Sequence, residues 1–317
     1  MIIDQNFTLL EIEPGDIDIE GKCVIPYGVR VIGSDVFRDK QHLKTIILPN
    51  TIKTIGSTAF YNCANLSSVQ LPNALEKIYA SAFANCLALT KIEIPNSVHG
   101  IGRYAFSECQ ALQSVHLPNS LLHLSEGIFY HCASLRNIQL PQYLKHIESF
   151  AFYHCDSLQE IHIPNKVLSI GICAFEYCKN MEVATFPASL REIQDGAFRD
   201  TGVVMVDIDG QLQKIDDFAF ENCSNLTRVH IPNSTDSIGD FAFGNCSNLV
   251  HASIANTTKI GYCAFTGVHG ECQFDYRTVA IRATPEHSDK LFDAIVNDTS
   301  KDLESTMPIL LEIEEER

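Results

Sequence analysis

The feature that most restricts how this chain can fold is a phenylalanine that returns at a fixed interval. Phe37, Phe60, Phe83, Phe106, Phe129, Phe152, Phe175 and Phe198 stand 23 residues apart, and Phe220, Phe243 and Phe265 follow at steps of 22, 23 and 22. Five residues before each Phe is Ile, with Leu124 the one exception. Cys follows three places later at Cys63, Cys86, Cys109, Cys132, Cys155, Cys178, Cys223 and Cys246. Leu at +6, Ile or Val at +9, Leu or Ile at +11 and often Pro-Asn complete the unit, as in Phe60, Cys63, Leu66, Val69, Leu71, Pro72 and Asn73. A period of this length marks a repeat architecture, in which one unit cannot close a core and each buries its apolar side against the next.

Within the unit, Val69 and Leu71 alternate with Ser68 and Gln70, which predicts a short strand with the apolar pair turned inward. Pro72 has no amide hydrogen for a ladder and ends the strand. Leu75 and Ile78 begin a second inward stripe. Gly56, Gly102, Gly171, Gly239 and Gly261 follow the Ile, where a glycine permits a tight turn. Ala-Phe-x-x-Cys is expected to form a single helical or 3₁₀ turn with Phe and Cys in the core. The sum is an α/β repeat: a stack of about eleven coils with one parallel β-sheet face and short helical turns on the return face, roughly 50 Å long at about 4.8 Å per coil.

The pattern Ile-x-x-Ile-Gly-x-x-Ala-Phe-x-x-Cys-x-x-Leu-x-x-Val-x-Leu-Pro-Asn resembles the BspA-like leucine-rich repeats. The resemblance covers roughly residues 24 to 274. It implies a leucine-rich-repeat solenoid used for adhesion and protein binding. On this reading residues 1–22 are an N-terminal cap, 23–274 the solenoid, and 275–317 a C-terminal capping helix and acidic tail. Ile17-Asp18-Ile19-Glu20-Gly21 is a candidate covering strand for the first coil, which would otherwise expose a strand edge. Around Arg199 to Gln211 Thr201 replaces Cys and Asp207-Ile208-Asp209-Gly210 replaces the Leu-Pro-Asn corner, either a local kink or a hinge or acidic contact site.

Charge and cysteine usage narrow the function. The 317 residues carry 39 acidic against 23 basic side chains, a net charge of -16 that disfavours nucleic acid and anionic membranes as partners. No apolar run approaches the length of a membrane span. The first residues lack the basic and apolar segments of a secretory signal, so the 12 cysteines are expected as reduced thiols in a cytosol. The Glu-rich ending, Glu312 to Glu316, reads either as a solvated tail or as similar to the C-terminal export signals of effectors that intracellular bacteria deliver by type IV secretion. Many members of the repeat family carry export signals at the other end, from which this chain departs.

The in-register cysteines read as a buried apolar spine, out of reach of a general base. Phe129-Tyr130-His131-Cys132 and Phe152-Tyr153-His154-Cys155 suggest zinc, but His and Cys as neighbours point apart, which leaves exposed histidines. No Walker-A, Gly-x-Gly-x-x-Gly or His-Glu-x-x-His motif occurs, and no cofactor, metal site or catalytic residue is expected. What changes from coil to coil is the outward face of the strand. One column runs Thr45, Ser68, Lys91, Ser114, Asn137, Glu160, Val183, Arg228 and His251; the other runs Ile47, Gln70, Glu93, His116, Gln139, His162, Thr185, Asp207, His230 and Ser253. Lys91, Glu93, His116, Asn137, Gln139, Glu160, His162, Arg228 and His230 are the candidate partner-binding residues. Tyr61, Tyr130, Tyr153 and Tyr177 form a rival patch on the return side. The expectation is a non-catalytic protein-binding module, in its most concrete form an exported effector that binds a host protein. An adhesion-type or cytosolic scaffold is the alternative, and an enzyme with a composite site on the sheet face is a remote one.

Overall fold

In each coil the chain alternates between two short strands and a run of turns. The computed structural model describes residues 1–255 and 257–268 and the strand Gln273–Phe274, which belong to a unit spanning Met1–Val279. The capping helix and tail expected within 275–317 lie outside the described residues.

The first strand of each coil has the pattern outward-inward-outward, as in Lys91–Glu93, Ser114–His116 and Glu160–His162. The middle residue is β-branched in most coils and suits a pleated, half-buried surface. The proline that follows closes a turn: the amides of Ile52, Leu75 and Val98 donate to the carbonyls of Pro49, Pro72 and Pro95 at 3.1, 2.9 and 3.0 Å. The chain then enters a second strand of two residues, such as Thr54–Ile55, Lys77–Ile78 and Gly100–Ile101. Both strands pair in parallel with their counterparts in neighbouring coils, residue for residue. There are thus two sheet columns rather than one. The two-residue column runs unbroken from Thr8–Glu11 to Gly100–Ile101 and again from His123–Leu124 to Lys259–Ile260. The three-residue column is paired in four segments.

The expected helical return face is not present; the described residues contain no helix. Alternate amides leave the coil, and this is the reason. Tyr61 and Cys63 donate to Thr58 and Phe60 within the coil at 2.9 and 3.2 Å. Thr58, Phe60 and Asn62 instead donate to Ala80, Ala82 and Ala84 of the next coil, at 2.9, 2.8 and 2.8 Å. A 3₁₀ turn would need successive amides bonded within the coil. The alternation also places Thr58 and Asn62 at φ of 52° and 56°, and the pattern repeats along the stack.

The core is the repeat made solid. Phe37 to Phe243 are fully buried, and their rings stack coil on coil with centroids from 5.0 to 5.9 Å apart. The stack passes through the shortened repeat, with Phe198 and Phe220 5.1 Å apart and 4° from parallel. The glycines after the Ile serve close approach and not a tight turn with positive φ. A Cβ on Gly56 would stand 2.7 Å from the Ser34 amide nitrogen, and one on Gly102 2.4 Å from that of Ala80. At the N-terminal end the hairpin Ile2–Ile3 and Thr8–Glu11 continues the two-residue column, with Leu9 opposite Ile32. The segment proposed as a covering strand makes a single antiparallel bridge, Ile17 to Cys23.

Candidate protein-binding face

The three-residue column sets the outward residues in register. Lys91, Ser114 and Asn137 stand in line, as do Glu93 and His116 beside them. Glu160 pairs with Val183 and His162 with Thr185. Met205, Arg228 and His251 continue one column, and Asp207, His230 and Ser253 the other. The residues expected on the face are exposed or half-exposed in the described structure, with Gln139 just beyond the end of its strand, Asn137–Ile138. Lys91, Glu93 and His116 also border a depression of about 860 Å³ whose walls include Ser67–Leu71 and the corner Ile94–Ser97.

Side-chain contacts on the face are few and open to solvent. His162 Nδ1 lies 3.2 Å from Thr185 Oγ1, and its Nε2 is 3.8 Å from Glu160. One residue of the face was missed by sequence reasoning. Met205, 48% exposed, belongs to the first column, where the shortened repeat hid its register. It follows Val183, 46% exposed, so an apolar spot lies between Glu160 and His162 on one side and Arg228 and His230 on the other. Asp209, which takes the place of the corner proline, lies 3.8 Å from His230. Asp207, Asp209 and His230 bring donor atoms within 4.8 Å of one another and could supply three ligands to a cation, though Asp209 is almost wholly in water.

The cysteine spine is more specific than an apolar spacer. Each thiol donates to the Phe carbonyl of the preceding coil, Cys63 to Phe37 at 3.0 Å and Cys132 to Phe106 at 3.2 Å. Thr201, in the coil without Cys, turns its hydroxyl to Phe198 at 2.8 Å. Burial pushes the thiols of Cys63, Cys109 and Cys223 up to about 12, so the thiolate needed for nucleophilic or metal chemistry is suppressed. Cys173 and Cys263 are partly exposed. The histidines beside the spine are not free in water: His131 and His154 are half-buried, with ring centroids 4.6 Å apart and planes tilted by 38°. Of the rival tyrosine patch, Tyr130, Tyr153 and Tyr177 are contiguous. Tyr61 stands apart with Arg38 over its ring at 5.0 Å.

Parallel strands in register, a ladder of stacked phenylalanines and a leucine column define a leucine-rich-repeat β-solenoid of about eleven coils. The BspA type leucine rich repeat region matches in six copies over residues 21–98, 76–202 and 145–270. The chain belongs to that family. No curated protein matches it. Among solved structures it is similar to the leucine rich repeat protein of T. pallidum, at 30% identity over 51% of this chain and 78% of that one, with a TM-score of 0.48. It is also similar to the pneumococcal vaccine antigen PcpA, at 18% identity, 86% and 83% coverage and a TM-score of 0.52. A leucine-rich repeat protein from Eubacterium ventriosum gives 18%, 83% and 85%, and 0.51. The last two likenesses concern the fold alone. None of these matches supports the type IV effector expectation, whose Glu-rich ending lies outside the described residues. Among the described residues no helix is long and apolar enough to cross a membrane.

Proposed function

We propose that the chain is a non-catalytic protein-binding module that meets its partner on the three-residue sheet column. The observation that carries this reading is the contrast between columns. The inward positions repeat from coil to coil, whereas the outward positions gather an exposed apolar spot, Val183 and Met205, edged by Glu160, His162, Arg228 and His230. An apolar centre with a polar rim is the usual anatomy of a protein interface.

The test is capture of a partner by the wild type, followed by titration of that partner against Met205→Asp and Glu160→Ala/His162→Ala/Arg228→Ala. Each variant is expected to weaken binding at least tenfold with an unchanged melting temperature. Equal affinity of all three proteins would refute the assignment of this face. The catalytic alternative predicts turnover in a broad hydrolase and transferase screen that a single sheet-face substitution abolishes. The finer version, an exported effector with a host-protein partner, rests on the Glu-rich ending; unchanged delivery of a translocation reporter after deletion of residues 305–317 would refute it.

A further inference from the structure

The turn side of the coils carries a feature that the repeat does not require. In each coil the second residue after the Phe has positive φ, and most coils use a residue suited to it, as at Asp39, Asn62, Asn85, Asp200, Asn222 and Asn245. Short polar side chains hydrogen-bond locally and tolerate this region. Four consecutive coils depart from that choice, the first with Glu108 at φ of 58°. His131, His154 and Tyr177 hold φ of 55°, 55° and 61°. After Glu108, the residues in these coils are rings, where the other coils use Asn, Asp or Gly.

The same coils build a ladder of rings. Tyr130 stacks on Tyr153 at 5.0 Å and His154 on Tyr177 at 4.4 Å; His131 lies 4.6 Å from His154 with its ring tilted by 38°, and Tyr153 meets Tyr177 edge-on at 5.6 Å. All five are half-buried, each with part of its surface in water. Around them the charge is lopsided. Glu108 lies 3.9 Å from His131 and Asp156 3.3 Å from His154. Beneath the rings Arg199 faces three carboxylates, Glu176 at 3.1 Å, Asp200 at 3.5 Å and Glu221 at 3.7 Å. Glu176 and Glu221 are buried. Ring faces carry negative potential and attract cations, more so beside surplus carboxylate. The chain already uses this chemistry on its turn side: Arg38 lies over Tyr61 at 5.0 Å and Lys179 near Tyr177 at 5.8 Å.

We propose that Tyr130, Tyr153 and Tyr177, with His131 and His154, form a second docking site, for a protein segment that presents an arginine or lysine side chain to the rings. The site is independent of the sheet-face reading and stands if that one falls.

The probe is the capped peptide Gly-Arg-Gly-Arg-Gly, with Gly-Gln-Gly-Gln-Gly as control, titrated at physiological salt by calorimetry and by tyrosine emission, which is unobscured because Trp is absent. The wild type is expected to bind the arginine peptide at least tenfold more tightly than the control. His131→Asn/His154→Asn restores the residue used in other coils. It should weaken binding at least fivefold while the melting temperature holds or rises, an outcome that a structural role for the rings does not give. Tyr153→Leu should weaken binding as well, and the histidine pair decides alone if that variant fails to fold. Glu160→Ala/Arg228→Ala on the sheet face should bind the peptide as the wild type does. No preference for arginine, undiminished binding by the histidine variant, or a fall in its melting temperature would overturn the proposal.

Discussion

Removing one ring from the phenylalanine ladder should be felt by its two neighbours and by no others. Phe152 is fully buried, with its centroid 5.5 Å from that of Phe129 and 5.1 Å from that of Phe175. Leu at this position keeps most of the apolar volume and loses two ring pairs. Each pair contributes about 0.5–1.5 kcal/mol beyond area burial, so Phe152→Leu is expected to destabilise by about 1–3 kcal/mol. Phe152→Ala adds a cavity and should cost about 3–5 kcal/mol. A double-mutant cycle separates the ladder from general packing. Phe152→Leu with Phe175→Leu should show a coupling of about 0.5–1.5 kcal/mol in urea unfolding. The same change paired with Phe37→Leu, five coils away, should be additive within about 0.5 kcal/mol. Equal coupling in both cycles would refute nearest-neighbour stacking as the source of core stability.

Arg199→Met should destabilise by about 3–5 kcal/mol, because it strands Glu176 and Glu221 in a buried site without their cation. Burial already pushes both carboxyls above their ordinary range, and the folded form then holds protons that the unfolded chain has released. Stability from these groups therefore rises as pH falls, and the variant's deficit in melting temperature should shrink between pH 8 and pH 5; a constant deficit would contradict the sign. Thiol labelling at neutral pH should reach the partly exposed Cys263 in the native protein and reach Cys63, Cys109 and Cys223 only after unfolding. Labelling of those three at the native rate of Cys263 would contradict their burial.

The core could be read from the residues because every coil states the same side chains, so Phe60, Leu66 and Ile78 each announce a column by recurrence alone. The two-residue strand at Lys77–Ile78 escaped notice because a strand that short shows no alternation. The turn side escaped for a different reason. Whether Phe60 donates its amide within the coil or to Ala82 depends on the neighbouring coil, and nothing inside one 23-residue unit records that destination. Cysteine's thiol bond to the preceding Phe and glycine's close approach to the preceding backbone are inter-coil facts of the same kind. The outward columns were legible as positions, since strand register follows from the core. Met205 was lost where the period shortened to 22. The tyrosines Tyr130, Tyr153 and Tyr177 were legible as a patch, but His131 and His154 were read as exposed because half-burial breaks the simple division of neighbours into inward and outward.

Both proposed faces depend on coils that advance by one fixed step. Spin labels carried on azide-bearing residues, which spare the native thiols, measure that step directly between outward positions of the same column. Labels at Gln70 and His162, four coils apart, should lie about 19 Å from one another along the stack, and labels at Gln70 and His230, seven coils apart, about 34 Å, before allowance for label length. Distances that rise with coil number in that ratio are what the account predicts. A longer separation for the nearer pair, or no change between the two, would contradict it.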